Sequence, residues 1–317
     1  MKKIKLREAD LHIHSHYSDG DCPVPELVKR IKRAGLKAAA LTDHDKIGGQ
    51  ELFLKLCALK NIAAVAGIEI STTYRQPGVP DAELHILGYN FDLKKLQTDK
   101  KSLAYNIQSR QRQIAGFISQ YNKRNVFSTS PEKIEKMFDL PRPVINHYWV
   151  SRARAIDMLK KSKNRLSFLE ARKIAAKEIK KDGPFHFDRG DFLPTRKAIE
   201  LIKSANGLAV WAHPTVYTEF LQNKGIKNFE KIFDKTLAKL KSFGLDGLEG
   251  FTERNSGAET KWLIKLCQKH GLNPYFGGTD YHGHKITEHK PGRYLGKGGI
   301  KYKEFLMNFG QKNPLKQ

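Results

Sequence analysis

The sequence predicts an α/β fold, a parallel sheet or closed barrel that is interrupted by a helical insertion. Short apolar strands alternate with amphipathic helices over residues 8–90 and again from residue 195. Such alternation is typical of parallel α/β sheets and barrels. A long, basic, helical region without strand-like segments lies between the two stretches. The length of 317 residues suits two domains, or one large barrel with an insertion.

The first stretch is a series of strands and helices with recognisable ends. Pro25 and Glu26 mark the first turn of a helix, and Gly35 marks its C-terminal end. The predicted elements are strand 9–14, helix 23–34, strand 37–42, helix 49–60, strand 62–70 and strand 83–91. This order predicts that the strands lie parallel.

The second stretch continues the same pattern after the insertion. From residue 93 to about residue 181 the pattern is helical, with breaks near residues 125–131 and 140–143. The later elements are helix 195–205, strand 207–212, helix 228–243, strand 246–250, helix 258–270 and strand 273–277. We therefore predict a barrel domain from residues 1–98 and 196–317, with residues 99–195 inserted as a basic helical domain that serves as a lid or substrate domain.

The net charge indicates anionic partners. The chain has 57 Lys+Arg against 33 Asp+Glu, a net charge of +24. Residues 100–182 hold 20 Lys and Arg and 7 Asp and Glu, so about a quarter of the chain carries over half of the excess. A positive field of this size raises the local concentration of phosphorylated or polynucleotide ligands. The alternative is a generally basic proteome in which the charge serves no particular partner.

Composition excludes several other classes of protein. A hydrophobic fraction of 39% supports a real core, and no apolar run reaches the about 20 residues of a membrane span. The N-terminus becomes charged again before an apolar segment forms, so no secretory signal is visible. The three cysteines are far apart, which excludes a zinc ribbon or a disulfide scaffold and fits a reducing compartment. We expect a cytoplasmic protein with no membrane contact, and no protein partner is evident.

Nine imidazole or carboxylate groups lie near the ends of the predicted strands. His12 and His14 are two residues apart on a strand, so both project from the same face. The carboxyl ends of barrel strands converge on one mouth, where groups that are distant in sequence meet. The nine groups are His12, His14, Asp19, His44, Glu69, His85, His213, Asp280 and His282.

The composition of this set predicts a metal centre with several ions. Mixed histidine and carboxylate ligands without thiolate suit manganese, iron or zinc. Nine groups are too many for one ion, so we expect two or three divalent ions, with manganese preferred. Taken singly, two histidines on a strand or one histidine at a strand end is often an ordinary polar group. The recurrence at several strand ends favours the metal centre.

The order of these motifs resembles the PHP superfamily, named for polymerase and histidinol phosphatase. The resemblance covers both barrel segments, about two thirds of the chain. It implies a distorted (β/α)7 TIM-like barrel with a trinuclear metal centre bound by the nine residues. The helical insertion between His85 and His213 resembles a bacterial branch that hydrolyses nucleoside 3′,5′-bisphosphates or digests short 5′-phosphorylated oligoribonucleotides from the 5′ end. Residues 245–249 strengthen this placement.

Two departures from that branch lie where substrate selectivity is set. An Arg-Pro-His run is typical of its insertion, and here Val144 follows Arg142 and Pro143. A Gly-Pro-Ala-Tyr run is also typical, and here His186 ends the corresponding four residues. Arg142 and His186 are therefore candidates for contacting the substrate. A surface position is the alternative for Arg142.

The resulting chemical hypothesis uses no nucleophile from the protein. A metal-bound hydroxide attacks phosphorus in line, while another ion holds the leaving oxygen. Asp10, Asp43 and Asp45 are candidates to orient the ligand imidazoles from behind. For Asp45 the alternative is a helix N-cap. The basic face of the insertion would bind the nonreacting phosphate or the RNA backbone, unless it is simply a solvated surface.

Three functions remain open at this point. The first is a metal-dependent phosphoesterase that acts on nucleoside bisphosphates such as pAp or on short RNA. The second is a histidinol-phosphate phosphatase with the same centre, although a small monophosphate does not require so basic an insertion. The third is a nucleic-acid-binding module with little activity, which would be expected to have lost ligands.

Overall fold

Seven strands form the framework of the computed structural model, which describes residues 7–138, 147–162, 166–178, 191–283 and 294–310. The strands are β1 (Ala9–Ile13), β2 (Ala38–Leu41), β3 (Ala63–Gln76), β4 (Val79–Tyr89), β5 (Leu193–Pro194), β6 (Leu208–Trp211) and β7 (Gly247–Leu248). Their order is β1-β2-β3-β4-β6-β7, and β5 pairs with β3. Strands β1, β2 and β3 are parallel, as are β6 and β7, whereas β4 is antiparallel to both neighbours.

Backbone contacts of residues 273–281 close the curled sheet between β7 and β1. Phe251 donates its N–H to the carbonyl of Phe276 at 3.2 Å, and Leu11 donates to Gly277 at 3.1 Å. His14 donates to Tyr281 at 2.8 Å. The strand predicted at residues 273–277 is thus reduced to isolated bridges. The distorted α/β barrel that the sequence predicted is confirmed.

Strands β3 and β4 form a long antiparallel hairpin, so the prediction of parallel strands was wrong here. The pairing runs from Gly67 opposite Tyr89 to Gln76 opposite Val79. Only two residues separate the strands, and Gly78 has the positive φ of 76° that the turn requires. A parallel pair needs a crossover of about a dozen residues, which this connection lacks. The predicted third strand therefore continues well beyond residue 70.

Twelve helices surround or extend the sheet in the described ranges. They are α1 (Val24–Arg33), α2 (Gln50–Leu59), α3 (Leu93–Thr98), α4 (Lys100–Lys123), α5 (Pro131–Phe138), α6 (His147–Lys161), α7 (Phe168–Glu178), α8 (Thr195–Ser204), α9 (Thr215–Asn223), α10 (Phe229–Ser242), α11 (Gly257–His270) and α12 (Tyr302–Phe309). Helix α3 lies at the start of the region predicted to be helical, whereas the sequence did not predict α9.

The helices α4 to α7 form a unit with its own small core. Phe117 and Tyr121 of α4 pack with Ile134 of α5 and Val150 of α6. Arg154 of α6 donates to both oxygens of one glutamate of α7, at 3.1 and 3.2 Å. These contacts are consistent with an inserted helical domain whose exact limits remain a prediction, because β5 lies inside the predicted insertion yet pairs with β3.

None of the helices in the described parts of the chain has the length and apolar composition that crossing a membrane would require.

Candidate metal centre

His12 of β1 and His14, which directly follows this strand, face the inside of the barrel mouth. All five residues of β1 are buried, and alternation separates His12 from Leu11 and Ile13, which belong to apolar clusters. His14 follows the strand and is also fully buried. The alternating pattern of the sequence therefore places both imidazoles together, with ring centroids 5.1 Å apart.

The carboxylate of Glu69 lies at the centre of the cluster. Five imidazole nitrogens are within 3.2 Å of its two oxygens: His12 Nε2 at 3.1 Å, His14 Nε2 at 3.2 Å, His44 Nδ1 at 3.2 Å, His85 Nδ1 at 2.8 Å and His213 Nε2 at 3.1 Å. Glu69 is fully buried and lies in the middle of β3, not at a strand end as the sequence predicted. Its position on the hairpin lets it reach histidines from both sides of the mouth.

Three overlapping groups of side chains could each hold an ion. In every group one ligand atom per residue lies within 4.8 Å of the others. The groups are His12, His14, Glu69 and Asp280; His14, Asp19, His44 and His282; and His44, Glu69 and His85. His213 joins them through its contact with Glu69. The structure thus brings together all nine predicted residues, and their binding of metal remains a prediction.

The donor atoms of this cluster fit divalent ions. His14 Nε2 and His44 Nδ1 are buried, and although each lies 3.2 Å from Glu69 Oε2, neither forms a hydrogen bond of good geometry within the described residues. Buried polar atoms normally have a partner, and a cation would supply it. Nitrogen and carboxylate oxygen donors without sulfur suit manganese, iron or zinc. Two candidate ligands, His213 and Asp280, also have positive φ values of 32° and 52°, a strain that is concentrated at functional sites.

The charges of the cluster shift the pKa of its members. Burial by itself would lower the pKa of His14 and His85, but the neighbouring carboxylates raise both to about 10. Burial would raise the pKa of Glu69, but His44, His12 and His85 hold it well below its usual range. An imidazolium, protonated on both nitrogens, cannot bind a metal ion, so ion binding here must displace protons.

Glu249 is a functional candidate that the sequence reasoning missed. Both of its carboxylate oxygens are 3.1 Å from His12 Nδ1, and it accepts a 2.7 Å hydrogen bond from the backbone N–H of His213. A carboxylate on the far nitrogen fixes the tautomer and orientation of a metal-binding histidine. Its sequence signal was available, since Glu249 directly follows the apolar strand β7 just as other candidates follow theirs.

Among the described residues, the carboxylate of Asp10 contacts no imidazole, although the sequence predicted that it orients one. Its carboxylate accepts hydrogen bonds from Thr279 N–H at 3.0 Å, Thr279 Oγ1 at 2.6 Å and Gly296 N–H at 3.1 Å. It also accepts from the backbone N–H of His12 at 3.3 Å. Burial raises the pKa of Asp10 to about 6, although these hydrogen bonds oppose the rise. Asp10 therefore holds the backbone that presents Asp280.

Within the described ranges, Asp43 is connected to an imidazole through another side chain. Its oxygens accept hydrogen bonds from Ser15 Oγ at 2.7 Å and Ser18 Oγ at 2.6 Å. Ser18 Oγ is in turn 3.4 Å from His14 Nδ1. Asp43 is thus linked to His14 through Ser18, and its orienting role stays a prediction.

Both predictions for Asp45 were wrong. Helix α2 begins after Gly49, so Asp45 is not its N-cap, and in the described structure its carboxylate contacts no imidazole. Instead it accepts hydrogen bonds from Ser71 N–H at 3.0 Å, Asn106 Nδ2 at 2.7 Å and Arg110 Nη2 at 3.0 Å. Asn106 and Arg110 belong to α4, so Asp45 joins the insertion to the barrel beside the candidate ligand His44.

The two predicted substrate residues, Arg142 and His186, lie outside the described residues.

Comparison with known proteins assigns the chain to a protein family. A profile described as PHP domain matches residues 10–171. The chain is similar to a 5′-3′ exoribonuclease of Haemophilus influenzae, with 29% identity over 281 residues, 87% of this chain and 90% of the relative. It is also similar to a 3′,5′-nucleoside bisphosphate phosphatase of Chromobacterium violaceum, with 23% identity over 279 residues, 87% of this chain and 88% of the relative.

A solved structure shares the fold. It comes from Bifidobacterium adolescentis and is assigned as a metal-dependent phosphoesterase. The two chains are 20% identical, each is covered over 96% of its length, and the TM-score is 0.74.

Proposed function

The chain belongs to the PHP domain family and is a metal-dependent phosphoesterase, and from this premise we propose that it hydrolyses nucleotides that carry a second phosphate. The proposed substrates are nucleoside 3′,5′-bisphosphates and short RNA with a 5′ phosphate. In both, one phosphate ester is hydrolysed while another phosphate is held away from the reacting atoms.

The nine clustered residues would hold two or three divalent ions, which we propose to be manganese, with iron or zinc as alternatives. The proposed ligands are His12, His14, Asp19, His44, Glu69, His85, His213, Asp280 and His282. When bound, such ions supply a water of lowered pKa and neutralise the charge of the attacked phosphate. Glu249 keeps the ring of His12 in place, and Asp10 keeps Asp280 in place through the backbone of Thr279.

The position of Arg110 is the main support for a substrate with a second phosphate. It extends from α4 of the insertion to the mouth of the barrel, where Nη2 donates to Asp45 at 3.0 Å and to Ser71 Oγ at 2.6 Å. Its Nε is buried and has no hydrogen-bond partner among the described residues. A guanidinium with a free donor, held in place by a carboxylate, suits a phosphate oxygen.

Lys46 adds a second cation in the same region. Burial lowers the pKa of its ammonium to about 8, Asp43 opposes this effect, and Arg110 adds to it. Two cations that lie within electrostatic range of each other favour the arrival of an anion. Arg142 and His186, both within the predicted insertion, are proposed to contact the same substrate.

The two relatives act on substrates of this kind according to their names. One degrades RNA in the 5′ to 3′ direction, and the other removes phosphate from a nucleoside bisphosphate. Their names support the proposal for this chain without deciding between the two substrates.

The test is a substrate panel with added Mn²⁺, with and without a chelator. The values of kcat/KM for pAp, a 5′-phosphorylated oligoribonucleotide, AMP and histidinol phosphate are compared. We expect pAp or the oligoribonucleotide to exceed AMP, with activity lost in the chelator. Turnover confined to histidinol phosphate, or RNA binding without any turnover, would contradict the proposal.

A pair of variants on one helix tests the role of Arg110. Arg110→Met should lower kcat/KM for pAp about 10- to 100-fold more than for AMP, because a charge-assisted hydrogen bond to the second phosphate is lost. Arg112→Met is the matched control, since Arg112 is an exposed residue of the same helix that donates to Ser109. Equal losses for pAp and AMP in Arg110→Met would show that Arg110 does not select the second phosphate.

A further inference from the structure

We propose that Arg254 binds the phosphoryl group that is hydrolysed, from its place on the outer oxygen of Asp280. This inference rests on the metal centre proposed above and adds a residue to it that the sequence motifs did not single out. Arg254 lies in the loop between β7 and α11, on the side of the centre formed by His12, His14 and Asp280.

The two oxygens of Asp280 face different partners. Oδ1 is 3.4 Å from His12 Nε2 and 3.3 Å from His14 Nε2, so it points into the proposed ion site. Oδ2 accepts a 2.9 Å hydrogen bond from Arg254 Nη2. The guanidinium is therefore separated from the proposed ion site by a single carboxylate group.

Most of the donors of Arg254 are available. A guanidinium has five N–H groups, and the described residues account for one hydrogen bond from Arg254. Its side chain is 34% exposed, against 18% for Asp280, so it lies nearer to the open mouth than the carboxylate does. A phosphate that reaches the proposed ion beside Asp280 would meet the remaining N–H groups.

The loop that carries Arg254 is held in place at its next residue. Asn255 accepts a hydrogen bond from Thr215 Oγ1 at 3.0 Å and donates to the carbonyl of Gly250 at 3.2 Å. Ser256 then caps α11 in a capping box with Glu259. A donor on a fixed loop stabilises developing charge without having to reorganise first.

The positive charge of Arg254 is not explained by a role in positioning Asp280 for metal binding. Of the three carboxylates in the proposed ligand set, Asp280 alone has an arginine partner within the described ranges. A cation on a metal-binding carboxylate repels a divalent ion, so it disfavours metal binding. The same cation favours the arrival of a negatively charged phosphate. The arrangement therefore suits anion binding and not metal retention.

Because Arg254 is expected to disfavour metal binding and to favour phosphate binding, its replacement should change the two affinities in different directions. Arg254→Met removes the charge and keeps much of the side-chain length, and Arg254→Lys restores a charge. Arg196→Met is the control, because Arg196 is 66% exposed and pairs with Glu200 on α8. For each protein, Mn²⁺ affinity is measured by calorimetry on metal-free protein, binding of inorganic phosphate by competitive inhibition, and kcat/KM with AMP as substrate.

We expect Arg254→Met to bind Mn²⁺ as tightly as the wild type or more tightly. Phosphate inhibition should weaken at least about 10-fold, and kcat/KM should fall by about 100-fold, as for the loss of one donor to a transition-state oxyanion. Arg254→Lys should recover part of the phosphate binding, and Arg196→Met should match the wild type.

Two results would overturn the inference. Weaker Mn²⁺ binding with unchanged phosphate inhibition would show that Arg254 only orients Asp280, and wild-type values throughout would show that it has no role. Failure of the substrate proposal is recognised separately, because it would appear as equal turnover of pAp and AMP by the wild type while the effects of Arg254→Met on phosphate remain. A wild-type protein that binds neither Mn²⁺ nor Fe²⁺ nor Zn²⁺ would overturn both proposals.

Discussion

Glu249 and Glu69 lie on opposite sides of the His12 imidazole. Both oxygens of Glu249 are 3.1 Å from Nδ1, while Oε2 of Glu69 is 3.1 Å from Nε2. All three residues are buried. With Glu249 accepting the Nδ1 proton, Nε2 is the nitrogen that faces Glu69 and that a metal ion would take once its own proton is displaced.

This relationship predicts that Glu249→Gln weakens metal binding about 10- to 100-fold, the usual effect of removing a carboxylate behind a ligand histidine. Glutamine keeps the size of the side chain and removes the charge. Mn²⁺ titration by calorimetry measures the change, and Glu51→Gln on the exposed surface of α2 serves as the control. Wild-type affinity in Glu249→Gln would contradict an orienting role for Glu249.

Metal binding is predicted to release protons near neutral pH. Burial opposes protonation of His14 and His85, but nearby carboxylates raise the pKa of each to about 10, so both are protonated at pH 7 in the metal-free protein. Each must lose its proton to bind an ion, so the apparent affinity should rise with pH until the pKa is passed. Calorimetry in buffers of different ionisation enthalpy counts the protons. Binding without proton release would show that these imidazoles are not ligands.

Gly278 is predicted to be irreplaceable because of its contact with His12. A Cβ at this position would lie against the backbone nitrogen and Cβ of His12, closer than real contacts allow. Gly278→Ala should therefore destabilise the protein by about 1–3 kcal/mol, as overpacking does, and weaken Mn²⁺ binding by displacing His12. Gly257→Ala is the matched control, because a Cβ there meets no atom within 4 Å. Denaturant unfolding of the two variants makes the comparison, and equal stabilities would contradict the prediction.

The ion pair between Asp45 and Arg110 is predicted to stabilise the attachment of the insertion. Asp45 is 1% exposed, so Asp45→Asn leaves a largely buried guanidinium unpaired and should cost about 3 kcal/mol of unfolding free energy. Asp81→Asn is the control, since Asp81 pairs with Arg75 at the exposed tip of the hairpin. The double variant Asp45→Asn with Arg110→Met should recover part of the loss. Similar stability of the two single aspartate variants would show that the buried pair is energetically unimportant.

Much of the candidate site could be predicted because its signals are local. Alternation along β1 places His12 and His14 on one face whatever the rest of the chain does. His213 and Asp280 likewise follow short apolar segments, and a barrel brings such ends together. The excess of basic residues in the insertion is also a property of composition alone.

The roles of the carboxylates could not be predicted in this way. Asp10, Asp43 and Asp45 all neighbour candidate ligands in sequence, but Asp10 binds backbone N–H groups, Asp43 acts through Ser18, and Asp45 pairs with Arg110. Glu249, which does contact a ligand imidazole, is 237 residues from His12. Adjacency in sequence did not indicate which acid would face which ring.

The sequence by itself determined the alternation of strands and helices, the residue types of the proposed centre and the basic helical region after residue 93, because these depend on neighbours along the chain. Only the tertiary structure decided that β4 runs antiparallel to β3, that Glu69 is central, and that Arg254 lies on the outer oxygen of Asp280. Those outcomes depend on strand pairing and on contacts between distant segments, which are fixed when the barrel closes and which no local pattern specifies.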